Sequence, residues 1–390
     1  MDDLLSKLIT ENSILVTAGA GGVGKTTTAA ALGLVAALET RRKVLILTVD
    51  PARRLADAMG LANFGNVVTR VDISGFAHPH PHGALYAAML DTKASWDDLV
   101  ARYAPNMRVR QEILANPIYA NISGRFVQSH DYIAMEALYD IYNRGEFDLI
   151  VVDTPPSRNA IDFLDAPERM AEFFSSKLLR WITAPYRSRL VSAAFKPFYQ
   201  VADRILGSQF LAEVAEFFML FQSMYEGFIE RANSVAGVLR SPQCSFVVVA
   251  TPEYVPMREA EFFLGALKER ELNLGAMIVN RSLPDYLRDP HARRAAGSMV
   301  AESAKLAERG FAGADAKVVA SVLAEVGSTF VDFAGLAAEE RSLLATLSVE
   351  HKRVLRAPYL ETDVADLPAL ARIGYNIKSA DISTRGNPRK

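Results

Sequence analysis

The chain has 390 residues, of which 50% are hydrophobic and 23% are charged. This balance is ordinary for a globular protein and excludes a disordered, collagen-like or disulfide-stapled chain. The 43 Lys and Arg residues nearly cancel the 45 Asp and Glu residues, leaving a formal net charge of -2. Because no overall charge attracts the chain to nucleic acid, we expect no nucleic-acid partner. The length allows two domains or one large domain with an insertion.

A single cysteine, Cys244, excludes both an internal disulfide and a four-thiolate zinc site from one chain. We interpret Cys244 as a small core residue at the start of a strand. The opening residues are acidic, without the basic segment and apolar run of a signal peptide. No apolar run approaches the ~18 residues of a membrane span. We therefore expect a cytoplasmic protein.

Short apolar segments rich in β-branched residues alternate with helical patterns along most of the chain. Most of these segments lack polar alternation, which is typical of parallel strands covered on both faces. The predicted strands are residues 13–18, 43–49, 85–90, 147–152, 246–250 and 276–279, and helical patterns cover 26–38 and 259–270. This order predicts an α/β fold with a doubly wound, mostly parallel sheet.

Residues 165–239 contain no convincing strand, and we predict that they form a helical insertion. The insertion divides the α/β domain into an N-terminal part, 1–164, and a C-terminal part, 240–378. Within the second part, we expect residues 284–327 to form helices and loop on the surface, with another helix running to about Leu347. The polar residues 379–390 are predicted to be a flexible tail.

The most specific motif is the segment GAGGVGKT at residues 19–26, which fits the G-x-x-x-x-G-K-[ST] pattern between a predicted strand and a predicted helix. Its glycines let backbone N–H groups curl around phosphate oxygens, and the helix N-terminus adds partial positive charge. Lys25 is expected to reach the β- and γ-phosphates, and Thr26 to offer its hydroxyl to Mg²⁺. The predicted nucleotide-binding residues are Gly19, Ala20, Gly21, Gly22, Val23, Gly24, Lys25, Thr26 and Thr27.

Such a phosphate loop needs a carboxylate near the metal, at the end of a buried strand. Asp153 follows the predicted strand 147–152 and fits this requirement. Asp50 follows the strand 43–49 and is a second candidate, although an Asp before Pro51 also favours a turn. The sequence therefore predicts a nucleotide and Mg²⁺ as cofactors, with Thr26, Asp50 and Asp153 around the metal.

Several segments together resemble the ArsA-type ATPases, a family that includes arsenite-efflux and tail-anchored-protein-targeting ATPases. The resemblance rests on residues 19–33, 50–60, 148–167, 247–281 and 357–370, and is closest to a bacterial, actinobacterial-style branch. It implies that Asp57 positions the attacking water, and that Asp153 begins a switch responding to the γ-phosphate. It also implies an adenine site at Asn280 and Pro358. The expected function is thus ATP hydrolysis, with Lys25, Asp57 and Asp153 as catalytic residues.

The resemblance implies a nucleotide-dependent dimer, but three features depart from the family. Ala20 replaces the signature lysine that crosses the dimer interface, which favours either a heterodimer with a paralogue carrying that lysine or a local substitute in a homodimer. The zinc-binding Cys-x-x-Cys motif of eukaryotic members is absent from the sequence, and Cys244 alone cannot form the cysteine set of arsenite carriers. A partner-dependent, nucleotide-sensing subunit that does not hydrolyse ATP is therefore an alternative, as is a partitioning or positioning ATPase.

The aromatic residues of the predicted insertion allow two interpretations. In targeting ATPases this region forms a groove for an apolar segment, so the chain is expected to handle an apolar or membrane-associated client, and to lie at the membrane periphery in that case. The other interpretation is that the aromatic side chains form the insertion's own core. Separately, His78, His80 and His82 alternate with prolines, which favours a rigid loop over a metal site.

Overall fold

The computed structural model describes residues 2–49, 54–61, 67–76, 83–119, 127–154, 172, 208–222, 224–310, 315–347, 353–360, 364 and 366–379. The helical insertion is therefore described mainly from Ser208 onward. The histidines at 78, 80 and 82, the tail beyond 379, and Asp50 lie outside the described residues.

One nine-stranded sheet organises the fold. Its strands are β1 (Ile14–Ala18), β2 (Lys43–Thr48), β3 (Thr69–Val71), β4 (Ala84–Met89), β5 (Leu149–Asp153), β6 (Cys244–Ala250), β7 (Leu274–Ser282), β8 (Val354–Pro358) and β9 (Lys378–Ser379). Their spatial order is β3-β4-β2-β5-β1-β6-β7-β8-β9. Among the strands of the described residues, only the edge pairs β3–β4 and β8–β9 are antiparallel. The prediction of a doubly wound, mostly parallel α/β sheet is confirmed, and all six predicted strands are present.

The helices lie between the strands in chain order. They are α1 (Asp3–Glu11), α2 (Lys25–Glu39), α3 (Arg54–Met59), α4 (Thr92–Tyr103), α5 (Met107–Ala115), α6 (Val127–Arg144), α7 (Ser208–Gln222), α8 (Tyr225–Leu239), α9 (Tyr254–Glu269), α10 (Pro290–Ala301), α11 (Ser303–Gly310), α12 (Ala316–Ala345) and α13 (Leu367–Tyr375), with a 3-10 turn at Asp285–Arg288.

Hydrophobic cores cover both faces of the sheet. On one face, α2 is buried along nearly its whole length and packs with α13, represented by Leu34 and Leu370. On the other face, α6, α8 and α9 supply residues such as Met135, Leu239 and Phe263. Because the central strands are covered on both sides, their side chains are apolar without alternation, as in other parallel sheets.

A third core joins helices that are far apart in the chain. Phe217 and Phe221 of α7 pack at 5.0 Å between ring centroids, and Phe221 lies 6.2 Å from Trp96 of α4. Ile113 of α5 and Met224 complete the centre of this cluster. The described part of the predicted insertion is therefore helical, and it packs against helices from residues 92–115, which the sequence patterns did not connect to it.

The excursion between β7 and β8 differs from the expectation. Residues 316–345 form one continuous 30-residue helix, so a boundary at Gly327 was wrong. Gly327 marks a close helix contact instead, because a Cβ there would lie 2.6 Å from the carbonyl oxygen of Ala296 on α10. A glycine inside a helical pattern thus reflects packing here, and not a helix end.

The C-terminal half of α12 is anchored to the sheet through a buried carboxylate. Glu340 is 2% exposed, pairs with Arg288 at 2.9 Å and lies 3.5 Å from Arg356 of β8. It also accepts a hydrogen bond from the backbone N–H of Leu283, just beyond β7, at 3.1 Å. Burial lowers the pKa of Arg288. The ion pairs therefore fix the long helix relative to the ends of β7 and β8.

A stripe of exposed apolar side chains runs along α12. Its side chains recur every three, four or seven residues, so they share one face of the helix. This outer face of α12 consists of Val318, Val322, Val326, Phe333 and Leu336, each between 45% and 60% exposed. By length and composition alone, α12 is the one helix among the described residues that is apolar enough to cross a membrane, and most of it is not buried.

Candidate functional site

The phosphate loop links the central strand β1 to the buried helix α2. The loop covers residues 19–24, and α2 begins directly at Lys25. Its tip is exposed at Gly21 and Gly22, whereas its base is buried. The N-terminus of α2, with the positive end of the helix dipole, directly follows this loop. A glycine loop leading into a helix N-terminus is the arrangement of an anion site, and phosphate binding by these residues stays a prediction.

Two glycines in this loop are required by close contacts. A Cβ at Gly19 would lie 2.0 Å from the carbonyl oxygen of Val249 on the neighbouring strand β6. At Gly24, φ is +91°, and a Cβ would lie 2.2 Å from Nδ2 of Asn280. Any side chain at either position would displace the loop from the sheet.

Lys25 is held close to the loop that it follows. Its side chain is only 7% exposed, and Nζ donates a hydrogen bond of 2.8 Å to the carbonyl oxygen of Ala20. The ammonium group of Lys25 therefore lies beside the phosphate loop of its own chain. Ala20 itself is buried at 7% exposure.

A carboxylate and two hydroxyl groups meet at the carboxyl ends of β2 and β5. Asp153 is fully buried, and its Oδ2 accepts hydrogen bonds from Thr26 at 2.8 Å and from Thr48 at 3.0 Å. The first bond joins the residues predicted to hold Mg²⁺. The second was not predicted, because Thr48 becomes a neighbour of Asp153 only when β2 and β5 pair in register.

Two further threonines brace the same edge of the sheet. Thr17 of β1 stands beside Asp153 in the register and donates to the carbonyl oxygen of Val152 at 3.0 Å. Thr154 donates to the carbonyl oxygen of Thr17 at 2.7 Å and is 2% exposed. The buried hydroxyl groups of Thr17, Thr48 and Thr154 each donate to an acceptor, so the strand ends around Asp153 are held in place.

The residues predicted for adenine lie on the other side of the loop. Asn280 on β7 is 8% exposed, and its Nδ2 donates to the carbonyl oxygen of Val23 at 2.8 Å. Pro358 ends β8 and pairs in register with Ser282 of β7. Asn280 and Pro358 thus lie on adjacent strands at the same sheet edge, and the Asn280 amide contacts the phosphate loop.

Asp57 is separate from this cluster of hydrogen bonds. It lies in the short helix α3, which packs against α2, and its side chain is exposed. Thr27 is half-buried in the first turn of α2. The role of Asp57 in orienting water stays a prediction, as do the roles of the other site residues.

The described donors fit a nucleotide with Mg²⁺. A hydroxyl and a carboxylate in contact, Thr26 and Asp153, provide the oxygen ligands that Mg²⁺ prefers. The loop tip is open, because a Cβ added to the exposed Gly22 would meet no atom within 4 Å. Among the described residues, His, Cys, Asp and Glu form no cluster of three that suits another metal.

Cys244 occupies the place that its sequence context suggested. It is the first residue of β6, and its side chain is fully buried. Burial raises the pKa of the thiol to about 12. It is therefore a core residue and is unreactive as a thiolate at neutral pH.

Comparison with known proteins agrees with this geometry. The family model described as anion-transporting ATPase matches residues 12–311. The ATPase GET3 of Rhodotorula glutinis is 24% identical over 72% of this chain and 73% of its own length. The ATPase ASNA1 homolog of Entamoeba dispar is 23% identical over 72% of this chain and 80% of its own length. Because the family model spans most of its length, the chain belongs to the ArsA-type anion-transporting ATPase family and is an ATPase.

Proposed function

We propose that the chain hydrolyses ATP at the phosphate loop and uses the hydrolysis to switch a dimer that handles an apolar client in the cytoplasm. The contact between Thr26 and Asp153, 2.8 Å apart at the N-terminus of α2, carries the hydrolytic part of this proposal. It combines an anion site with a metal-binding pair, which are the two elements needed for phosphoryl transfer to water.

The proposed chemistry divides among few residues. Thr26 and Asp153 would hold Mg²⁺, with Asp50 as a further candidate, and the bound ion supplies charge neutralisation at the phosphates. Lys25 exchanges its bond to the Ala20 carbonyl for phosphate oxygens and stabilises the charge that develops on them. Asp57, exposed on α3, orients the attacking water and accepts its proton.

Asp153 connects this chemistry to the predicted helical insertion. Asp153 ends β5, and the chain that follows leads through Thr154 into the predicted insertion. A change at Asp153 when the γ-phosphate leaves would pass along the chain toward α7, which packs on α4 and α5. This arrangement supports a nucleotide switch with a mechanical output.

Whether one chain is sufficient depends on Ala20. A homodimer of this chain lacks the signature lysine across the interface, so a heterodimer with a paralogue that carries it is the alternative partner. ATP turnover by the purified chain, with Lys25→Ala and Asp57→Asn as controls, tests the proposal. Turnover by the wild type alone supports a self-sufficient ATPase. Binding of ATP without turnover would overturn autonomous hydrolysis and favour a nucleotide-sensing subunit.

The client surface proposed here is the outer face of α12. The described aromatic side chains Phe217 and Phe221 of the insertion support a core shared with α4 and α5 over an open groove, since they are at most 3% exposed. The outer face of α12 is instead apolar and exposed, and an acidic row of Glu325, Asp332 and Glu339 runs beside it with a seven-residue repeat. The matching occupant is an apolar helix flanked by basic residues.

A binding experiment tests this client surface. The probe is a fluorescent 20-residue Leu/Val helix with lysines at both ends, and the readout is fluorescence anisotropy. Val322→Glu is expected to weaken binding at least tenfold. Ser298→Glu, a new charge on an exposed position of α10, serves as the matched control. Equal affinity of the wild type and Val322→Glu would exclude this face.

A further inference from the structure

The Asn280 side chain joins two parts of the site that are distant in the chain. Its Nδ2 donates to the carbonyl oxygen of Val23 at 2.8 Å, and both partners are buried. Asn280 belongs to β7, on the side predicted for adenine, whereas Val23 belongs to the phosphate loop. This hydrogen bond therefore links the strand predicted to contact the base with the loop predicted to contact the phosphates.

The neighbouring glycine makes room for this bond. A Cβ on Gly24 would lie 2.2 Å from Nδ2 of Asn280, which only the absence of a side chain permits. The φ of +91° at Gly24 also bends the loop so that the Val23 carbonyl faces β7. The loop conformation and the Asn280 amide are thus matched to each other.

Fixing the Val23 carbonyl also fixes a donor on the other side of the same peptide. The carbonyl of Val23 and the N–H of Gly24 belong to one planar trans peptide unit and point in opposite directions. When Asn280 holds the carbonyl, the Gly24 N–H is directed away from β7. Backbone N–H groups of this loop are the donors that bind phosphate oxygens.

We infer that Asn280 is a positioning residue for the phosphate loop, independent of any contact with the base. It holds the Val23–Gly24 peptide in the orientation that presents its N–H to the phosphates. The inference rests on the proposed nucleotide-binding function, and it adds a role to the base contact that the family resemblance implies for Asn280. Phosphate affinity should therefore depend on Asn280 even when the ligand has no base.

Inorganic tripolyphosphate tests this inference, because it carries three phosphates without a base or a ribose. Its affinity and that of ATP are measured by titration calorimetry in Mg²⁺ buffer for the wild type, Asn280→Ala and Asn280→Ser. The serine hydroxyl is too short to reach Val23. Loss of one neutral hydrogen bond is expected to weaken tripolyphosphate binding roughly three- to tenfold in both variants, and ATP binding by at least the same factor.

Ser282→Ala is the matched control. Ser282 lies two residues along the same strand, is 2% exposed, and donates its hydroxyl to the carbonyl oxygen of Val279 and not to the loop. Its loss should leave tripolyphosphate affinity unchanged. Thermal unfolding without ligand shows whether each variant is folded.

The outcomes separate the inference from the function on which it rests. If the wild type binds neither ligand, nucleotide binding itself is wrong. If Asn280→Ala and Asn280→Ser bind tripolyphosphate as the wild type does but bind ATP more weakly, Asn280 acts on the base alone and the inference is overturned. Failure of both variants to fold would also overturn it, because Asn280 would then be needed for stability and not for positioning.

Discussion

Replacing Thr48 by valine tests whether the unpredicted contact with Asp153 contributes to the site. Valine keeps the shape of threonine but removes the hydroxyl that donates to Asp153 Oδ2 at 3.0 Å. Both residues are at most 1% exposed, so water does not replace the lost donor. A hydrogen bond to a charged acceptor contributes about 1.5–3 kcal/mol. This corresponds to roughly 10- to 100-fold in an equilibrium or rate constant.

Thr17→Val is the matched control for Thr48→Val. Thr17 lies in the same row of the sheet, is fully buried, and donates over the same distance of 3.0 Å, but to a neutral backbone carbonyl. Its loss should cost about 0.5–1.5 kcal/mol of unfolding free energy. Urea denaturation measures the stability of both variants, and a phosphate-release assay with Mg²⁺ and ATP measures turnover.

We expect Thr48→Val to lose more stability than Thr17→Val and to lower kcat/KM at least tenfold, because Asp153 is no longer held toward Thr26. Thr17→Val should retain turnover within about twofold after correction for the folded fraction. Equal stability losses with equal turnover would refute the reasoning, since the charge of the acceptor would then have no influence.

Three further predictions concern the rest of the molecule. Phe217→Ala should lower the free energy of unfolding, measured in urea, by about 3–5 kcal/mol because Phe217 is 1% exposed in the helical cluster. The control Phe218→Ala, at the adjacent and partly exposed position, should lower it less. Equal losses of unfolding free energy would contradict the described core. Cys244, whose pKa burial raises to about 12, should react with a thiol reagent at pH 8 far more slowly in the native protein than in urea; similar rates would show an accessible thiol. Gly24→Ala should abolish nucleotide binding in equilibrium dialysis, because its φ is +91° and Asn280 occupies the Cβ position, whereas Gly237→Ala, with open space around it in α8, should bind normally.

The sequence was sufficient for features that depend on local pattern. Buried parallel strands such as β1 and β5 are continuous apolar runs, and the glycine spacing at residues 19–26 specifies the phosphate loop directly. Asp153 was selected because a phosphate loop needs a carboxylate near its metal at the end of a buried strand, and the structure places it in contact with Thr26. The short antiparallel edge strands β3 and β9 escaped prediction, since three and two residues carry too little pattern.

Features created by tertiary neighbours were beyond the sequence. The bond from Thr48 to Asp153 depends on the register of β2 with β5, and the Asn280–Val23 bond connects residues 257 positions apart. The packing of α7 on α4 likewise follows from the path of the chain and not from either helix alone. The expected excursion at residues 284–327 stopped inside α12, because the contact of Gly327 with α10 is not visible in the sequence.

The order of the strands also constrains how the chain is made. β1 is synthesised before both of its partners, because Ile14 pairs with Ile150 on one side and Cys244 on the other. Since such long-range pairings form slowly, β1 keeps at least one unpaired edge until β6 has left the ribosome. The carbonyl oxygen of Val23 gains its hydrogen-bond donor later still, because Asn280 follows Cys244 in the chain. The unfinished chain therefore carries an apolar strand with an unpaired edge, a feature that favours aggregation.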